Sequence, residues 1–199
     1  MKMLAYAAGI ALALGASGAW AGEAYPLTTC PVSGAALTDG GVAKDYDGRD
    51  IRFCCDGCPA SFEEDLEASL GKVDEAIIAD QKTVYPIEAC VVMNHDMDME
   101  TATWSVVGNR AFATCCGSCA RKIEAEPAEF AAALDEAAIE EQGADYPLET
   151  CVVAGTNLSE SPVEFVVAGR LMRTCCAGCK GKATADPASY LAALNEARN

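Results

Sequence analysis

Twelve cysteines fall into three sets of four, at a spacing suited to holding a soft metal ion. Cys54-Cys55-Asp56-Gly57-Cys58 recurs as Cys115-Cys116-Gly117-Ser118-Cys119 and as Cys175-Cys176-Ala177-Gly178-Cys179, and a single cysteine precedes each cluster: Cys30, Cys90 and Cys151. Gathered sulfur ligands bind thiophilic ions such as Zn(II) and Cu(I), or pair as disulfides. Cysteines three apart, such as Cys55 and Cys58, can face one ion from a first helical turn, and Cys54 and Cys58, four apart, can do the same. Cys30 approaches from an opposite loop. Three thiolates with a fourth within reach make a trigonal or tetrahedral site. Neighbouring cysteines rarely bond to each other, because the ring so formed is strained. A structural zinc site usually has two separate cysteine pairs. Here one pair is reduced to a single residue, so the site is either open or completed by an unusual ligand.

The position three residues after the lone cysteine differs among the repeats: Ser33, Met93 and Ala154. Only Met93 offers a second soft ligand. It is followed by the one histidine of the chain, His95, and by Met97 and Met99. Thioether and imidazole beside thiolate suit Cu(I), which makes Met93 and His95 additional candidate ligands in the second set. Asp96, Asp98 and Glu100 alternate through the same stretch, but the remaining acidic positions and the glycine of an EF-hand loop are missing.

The elements that must position these sulfurs repeat with them. Tyr25-Pro26-Leu27, Tyr85-Pro86-Ile87 and Tyr146-Pro147-Leu148 each open a unit, and the lone cysteines are 60 and 61 residues apart. The spacing predicts a loop, then two short strands around a tight turn, then the cluster, then helix. The first hairpin is expected at Val42 to Tyr46 and Asp50 to Phe53 around Asp47-Gly48, a pair suited to a primed turn. The second is expected at Ser105 to Val107 and Ala111 to Ala113, the third at Glu164 to Val167 and Leu171 to Arg173. An arginine follows each turn (Arg49, Arg110, Arg170) and is expected to hold the turn or meet the acidic surface. Helices are expected to start at Pro127 and Pro187, with Phe130, Leu134 and Ala138, or Tyr190 and Leu194, on the apolar face. In the first unit Leu66, Leu70, Val73 and Ile77 carry that face, and Gly71 interrupts it. The fold class is α+β, with one or two short helices per unit. A core of 50 to 60 residues is marginal without a metal or disulfide staple. Residues 85–145 alone are expected to fold when metal is supplied.

The chain begins with Lys2, an apolar stretch from Met3 to Gly18 and Ala19-Trp20-Ala21. This reads as a secretory signal peptide over residues 1–21, followed by a periplasmic or secreted mature chain. The units are then 22–84, 85–145 and 146–199. The formal charge is −16, from 14 basic and 30 acidic residues, and becomes −17 without Lys2. Such a surface repels nucleic acid and gathers cations. Nothing after the leader is long and apolar enough to span a membrane.

The run Cys30-Pro31-Val32-Ser33-Gly34, then Tyr46-Asp47-Gly48-Arg49, then Phe53-Cys54-Cys55-Asp56-Gly57-Cys58 resembles the YHS domain and the related TRASH domain. Asp186-Pro187-Ala188-Ser189-Tyr190-Leu191 is similar to the usual end of a YHS unit. The resemblance implies a treble-clef-like fold and a part in heavy-metal sensing, trafficking or resistance. It implies Cys30, Cys54 and Cys58 as the ligand set, with Cys90, Cys115, Cys119 and Cys151, Cys175, Cys179 as equivalents. Cys55, Cys116 and Cys176 are then alternative or transfer ligands. The second and third units open instead with Cys90-Val91-Val92-Met93 and Cys151-Val152-Val153-Ala154, so their ligand sets can differ.

Three functions compete at this point. The first is a non-enzymatic protein that buffers, sequesters or transfers a soft ion, Cu(I) before Zn(II), with a metal donor or acceptor protein as partner. The second is a secreted interaction protein stapled by two disulfides per unit. The third is a thiol–disulfide enzyme using Cys55-x-x-Cys58, which lacks the strand–helix setting of that chemistry. One histidine cannot serve three hydrolytic sites, and no phosphate-binding glycine loop is present.

Overall fold

The computed structural model describes Trp20, residues 22–37 and residues 40–198. Apart from Trp20, the expected signal peptide lies outside the described residues. The fold is α+β and repeats one unit three times, each a two-stranded antiparallel hairpin followed by two helices. The first unit has β1 (Val42–Tyr46), β2 (Arg49–Phe53), α1 (Cys58–Glu63) and α2 (Leu66–Lys82). The second has β3 (Thr103–Val107), β4 (Arg110–Thr114), α3 (Gly117–Ala125) and α4 (Pro127–Gly143). The third has β5 (Val163–Val167), β6 (Arg170–Thr174), α5 (Ala177–Ala185) and α6 (Pro187–Arg198).

All three turns put both central residues at positive φ: Asp47 and Gly48, Gly108 and Asn109, Ala168 and Gly169. That is the primed geometry whose twist matches the strands it joins. Alanine is poorly suited to this region. Ala168 is held there by its own N–H, which donates to Glu23 Oε2 at 2.7 Å. The registers Tyr46↔Arg49, Val107↔Arg110 and Val167↔Arg170 place an arginine directly after each turn. Each arginine reaches the long helix of its own unit at equivalent positions. Arg49 pairs with Asp74 at 2.5 Å, Arg110 with Asp135 at 2.9 Å, and Arg170 Nε donates to Asn195 at 3.1 Å.

Gly71 lies within α2, which runs from Leu66 to Lys82. Its position faces open space. The roughly 1 kcal/mol cost of a helical glycine is opposed by Val73 and Ile77, which are fully buried in the first unit's core. The first and second units share a core: Ala111 belongs to the first unit's core, and Trp104 and Val106 pack against it. A fragment of residues 85–145 would expose this surface, and its circular dichroism with and without added metal is the measurement that tests whether it folds alone.

Glutamines make the same connection between successive units. Gln81, at the end of α2, donates to the Asn109 carbonyl at 2.9 Å and accepts from Ala111 N–H at 2.9 Å. Gln142, in α4, donates to the Gly169 carbonyl at 2.8 Å and accepts from Leu171 N–H at 3.0 Å. One amide thus satisfies both backbone groups of the next hairpin. The third unit meets the first through Arg170, whose guanidinium pairs with Asp80 at 2.7 Å, through the Ala168 bond to Glu23, and through Arg52, which donates to the Ala185 carbonyl at 2.5 Å and lies 3.6 Å from Asp186. Gln81 is buried, so Gln81→Met should leave two buried backbone groups unpaired and cost about 2–3 kcal/mol. Chemical denaturation measures this. A loss below about 0.5 kcal/mol would show that water takes over both bonds.

Candidate metal centre

Each upstream cysteine sits in a tight loop closed by backbone bonds at equivalent positions. Cys30 N–H donates to the Ala35 carbonyl and Gly34 N–H to the Cys30 carbonyl, at 2.8 and 2.9 Å. The pairs Cys90–His95 and Asn94–Cys90 repeat this at 3.0 and 2.7 Å, and Cys151–Thr156 and Gly155–Cys151 at 2.7 and 2.8 Å. The returning residue has positive φ in all three: Gly34, Asn94 and Gly155. Those are the residue types that tolerate it. The loop buries Cys30, Cys90 and Cys151 and turns the chain back in a single bridge, at Thr29↔Ala36, Ala89↔Asp96 and Thr150↔Asn157.

The cluster lies where the second strand of each hairpin passes into a helix. In the second and third units a threonine hydroxyl fixes this corner. Thr114 Oγ1 donates to the carbonyls of Thr103 and Cys116, and Thr174 Oγ1 to those of Val163 and Cys176. The Cys55, Cys116 and Cys176 carbonyls in turn accept from the N–H of Cys58, Cys119 and Cys179, at 3.1–3.2 Å. The last cysteine of each set therefore rides on the first helical turn.

These two supports bring three sulfurs together in every unit. The Sγ atoms of Cys30, Cys54 and Cys58 lie within 4.8 Å of one another, and so do those of Cys90, Cys115, Cys119 and of Cys151, Cys175, Cys179. The cross-helix pairs are closer: Cys54–Cys58 at 3.6 Å, Cys115–Cys119 at 3.7 Å and Cys175–Cys179 at 3.7 Å. Thiolates about 2.3 Å from one ion stand about 3.8 Å apart in a tetrahedron and about 4.0 Å apart in a trigonal plane. These pairs are thus already near the spacing an ion requires, and the third sulfur of each trio lies within 4.8 Å of both. All twelve cysteines are free thiols, and these separations are far above the 2.03–2.05 Å of a disulfide bond.

The fourth cysteine of each set stands outside this trio but touches it. Cys55 Sγ is 3.4 Å from Cys58. Cys116 Sγ is 3.8 Å from Cys119 and 3.9 Å from Cys115. Cys55, Cys116 and Cys176 are exposed. Met93 and His95 are placed differently. Met93 is 58% exposed, and the exposed His95 contributes its backbone carbonyl to the knuckle. Among the described residues no imidazole or carboxylate joins any of the three trios. Asp98 is occupied in its own turn, accepting from Glu100 N–H at 2.9 Å.

The thiols within a set are electrostatically unequal. Burial disfavours the Cys30 thiolate, but the Ser33 hydroxyl and the N–H groups of Ser33, Cys54 and Val32 outweigh it and bring the thiol down to about 6. Cys151 falls to about 7 against the same burial, through N–H groups of Cys175, Ala154 and Val153. Cys116 and Cys176 are lowered chiefly by the N–H of the last cysteine, at the start of a helix. The last cysteines go the other way. Cys58 rises to about 12 because its thiol donates to Cys55 and is buried, and Cys119 and Cys179 rise to about 12 through burial and neighbouring thiols. Each set therefore places a cysteine whose thiolate is favoured beside one whose thiol is favoured, and a bound cation would draw off the remaining protons.

Sequence reasoning expected a cysteine knuckle loop in each unit but passed over the Ser33 hydroxyl. Ser33 Oγ lies 3.2 Å from Cys54 Sγ, so the variable knuckle position does act on the sulfurs. The recurrence of Gly34, Asn94 and Gly155 four residues after each lone cysteine marks where the loop returns. No family model matches this chain, nor does any curated protein or solved structure.

Proposed function

We propose that this is a non-enzymatic, exported protein that binds about one thiophilic ion per repeat and buffers, sequesters or hands it on, Cu(I) first and Zn(II) next. One observation carries the reading: three thiol sulfurs approach to ion-binding distance at the same place in each of three units. Cys30, Cys54 and Cys58, with Cys90, Cys115, Cys119 and Cys151, Cys175, Cys179, hold the ion. Cys55, Cys116 and Cys176, each beside a ligand and open to solvent, receive or release it by thiolate-for-thiolate exchange. Met93 and His95, being outward, serve as a soft capture point near the second site. The resemblance to YHS and TRASH domains and their treble-clef-like unit belongs to this reading. Knuckle, hairpin and helix meeting at one cysteine set are in keeping with it. So is the acidic charge of the chain, which raises the local concentration of cations. The leader places the mature chain in the periplasm or outside the cell.

Native mass spectrometry of protein purified from an oxidising envelope, with free thiols counted alongside, tests the reading. The expected result is up to three soft ions per chain with the cysteines reduced, and the ion's mass separates copper from zinc. A metal-free chain lacking the hydrogens of six disulfides would replace this reading with a disulfide-stapled interaction protein.

A further inference from the structure

Among the described residues, most of the basic side chains outside ion pairs lie beside two of the three cysteine clusters. Among the described residues Lys44, Arg49, Arg52, Lys82, Arg110, Arg170 and Arg173 are in ion pairs with carboxylates. Arg198 donates to Gln142. Five further basic residues form no such ion pair: Lys72, Arg121, Lys122, Lys180 and Lys182. Four of these five are exposed and fall within three residues of Cys119 or Cys179. The Arg121 guanidinium folds back on the cluster, donating to the hydroxyl of Ser118 between Cys116 and Cys119 at 3.1 Å. The first unit has the opposite character: Asp56 lies inside its cluster, Ser61 stands where Lys122 and Lys182 do, and Glu63 and Glu64 follow. Lys122 and Lys182 also lie in the last turns of α3 and α5, where a cation suits the helix dipole. That does not account for Arg121, and Lys180 stays exposed with its Nζ 5.4 Å from the centre of the Phe165 ring.

We infer that the second and third sites exchange their ion with an acidic protein surface that displays thiols, while the first site is screened from it. The inference rests on the metal-binding function proposed above. Cys115, Cys116, Cys175 and Cys176 are exposed, so a thiol carried on another protein can reach them. Two exposed cations stand beside each of the second and third clusters, so each site carries its own basic border. In the exchange a metal–sulfur bond to the partner forms as one to this chain breaks. The proton of the incoming thiol passes to the cysteine released. At about 0.1 M ionic strength fields are screened within about 10 Å, so the local cations govern the encounter despite the net charge of −16.

The full chain, loaded with Zn(II) or Cu(I), is offered Cys-x-x-Cys peptides flanked by aspartates or by lysines, with free mercaptosuccinate as a small anionic thiol. The acidic peptide should remove two of three ions about tenfold faster than the basic one, and R121E/K122E/K180E/K182E should reverse that preference. Equal rates for the two peptides would overturn the inference. So would discrimination by mercaptosuccinate alone, or loss of metal affinity in the variant with no change in preference. A metal-free arm separates this from the metal reading. An anionic aromatic disulfide, mapped by peptide mass, should modify Cys116 and Cys176 well before Cys55, and cationic cystamine should not. A chain that takes up no metal sinks the proposed function, whereas uniform labelling sinks the charge asymmetry.

Discussion

Cys90→Ser should remove one of three metal equivalents and destabilise the second unit by about 3 kcal/mol or more in metal-loaded protein, and by less than about 1 kcal/mol after chelation. Cys90 is fully buried at the knuckle, and its sulfur is one of three converging within 4.8 Å. Serine fills nearly the same volume, so packing changes little, but its hydroxyl is a poor ligand for a soft ion. Binding free energy at a thiolate site acts as folding free energy, because the unfolded chain does not preform the site. Most of the loss therefore appears only when metal is present. Cys116→Ser is the control. Cys116 is exposed and outside the trio, so this variant should keep three ions and lose exchange rate. Thermal melts with and without chelator, combined with native mass spectrometry, separate the cases. Equal losses for the two variants in loaded protein, or an equal loss for Cys90→Ser with and without metal, would remove the trio from its assigned role.

How much of this was legible in the sequence depends on the range of the interaction. The hairpins were, because turn chemistry is local: Asp47-Gly48 and its counterparts carry their own geometry, and strand ends differ from expectation by at most two residues. Pro127 and Pro187 marked helix starts for the same reason. The cysteine spacing led to the trios, since positions three and four apart on a helical turn necessarily share a face. Contacts between units were not legible. Nothing local in Gln81 or Gln142 says that its amide will satisfy a hairpin some 28 residues on, and nothing in Trp104 or Val106 assigns it to a neighbour's core. Met93 and His95 are exposed and stand apart from the trio of Cys90, Cys115 and Cys119, because the knuckle fixes only the backbone there.

The turn arginines show the same division, and the second large effect lies there. Arg110→Gln should cost about 3–5 kcal/mol, because Arg110 is 1% exposed and held between two carboxylates. Its guanidinium donates to Glu23 Oε1 at 2.7 Å and to Asp135 Oδ1 at 2.9 Å. Glu23 Oε2 also receives the N–H of Ala168, so this pair joins the second hairpin to the third. Losing the cation leaves two carboxylates facing a site with no charge to offset them. Asp135→Asn should behave oppositely. Burial raises the Asp135 carboxyl to about 6, Arg110 opposes that rise, and Glu23 adds to it. A folded-state value above the unfolded one means that the charged carboxylate weakens the fold at neutral pH. The weakening disappears as pH falls from about 6 towards 4, where the folded state keeps the proton. Asp135→Asn should therefore raise the melting temperature slightly at pH 7.5 and make no difference near pH 4.5, while Arg110→Gln is destabilising at both. The arginine, not the carboxylate on its own helix, would then be the member of the pair that the packing cannot lose. A larger loss from Asp135→Asn than from Arg110→Gln at pH 7.5 would reverse that assignment and make the contact from β4 to α4, rather than the link through Glu23, the one that holds the units together.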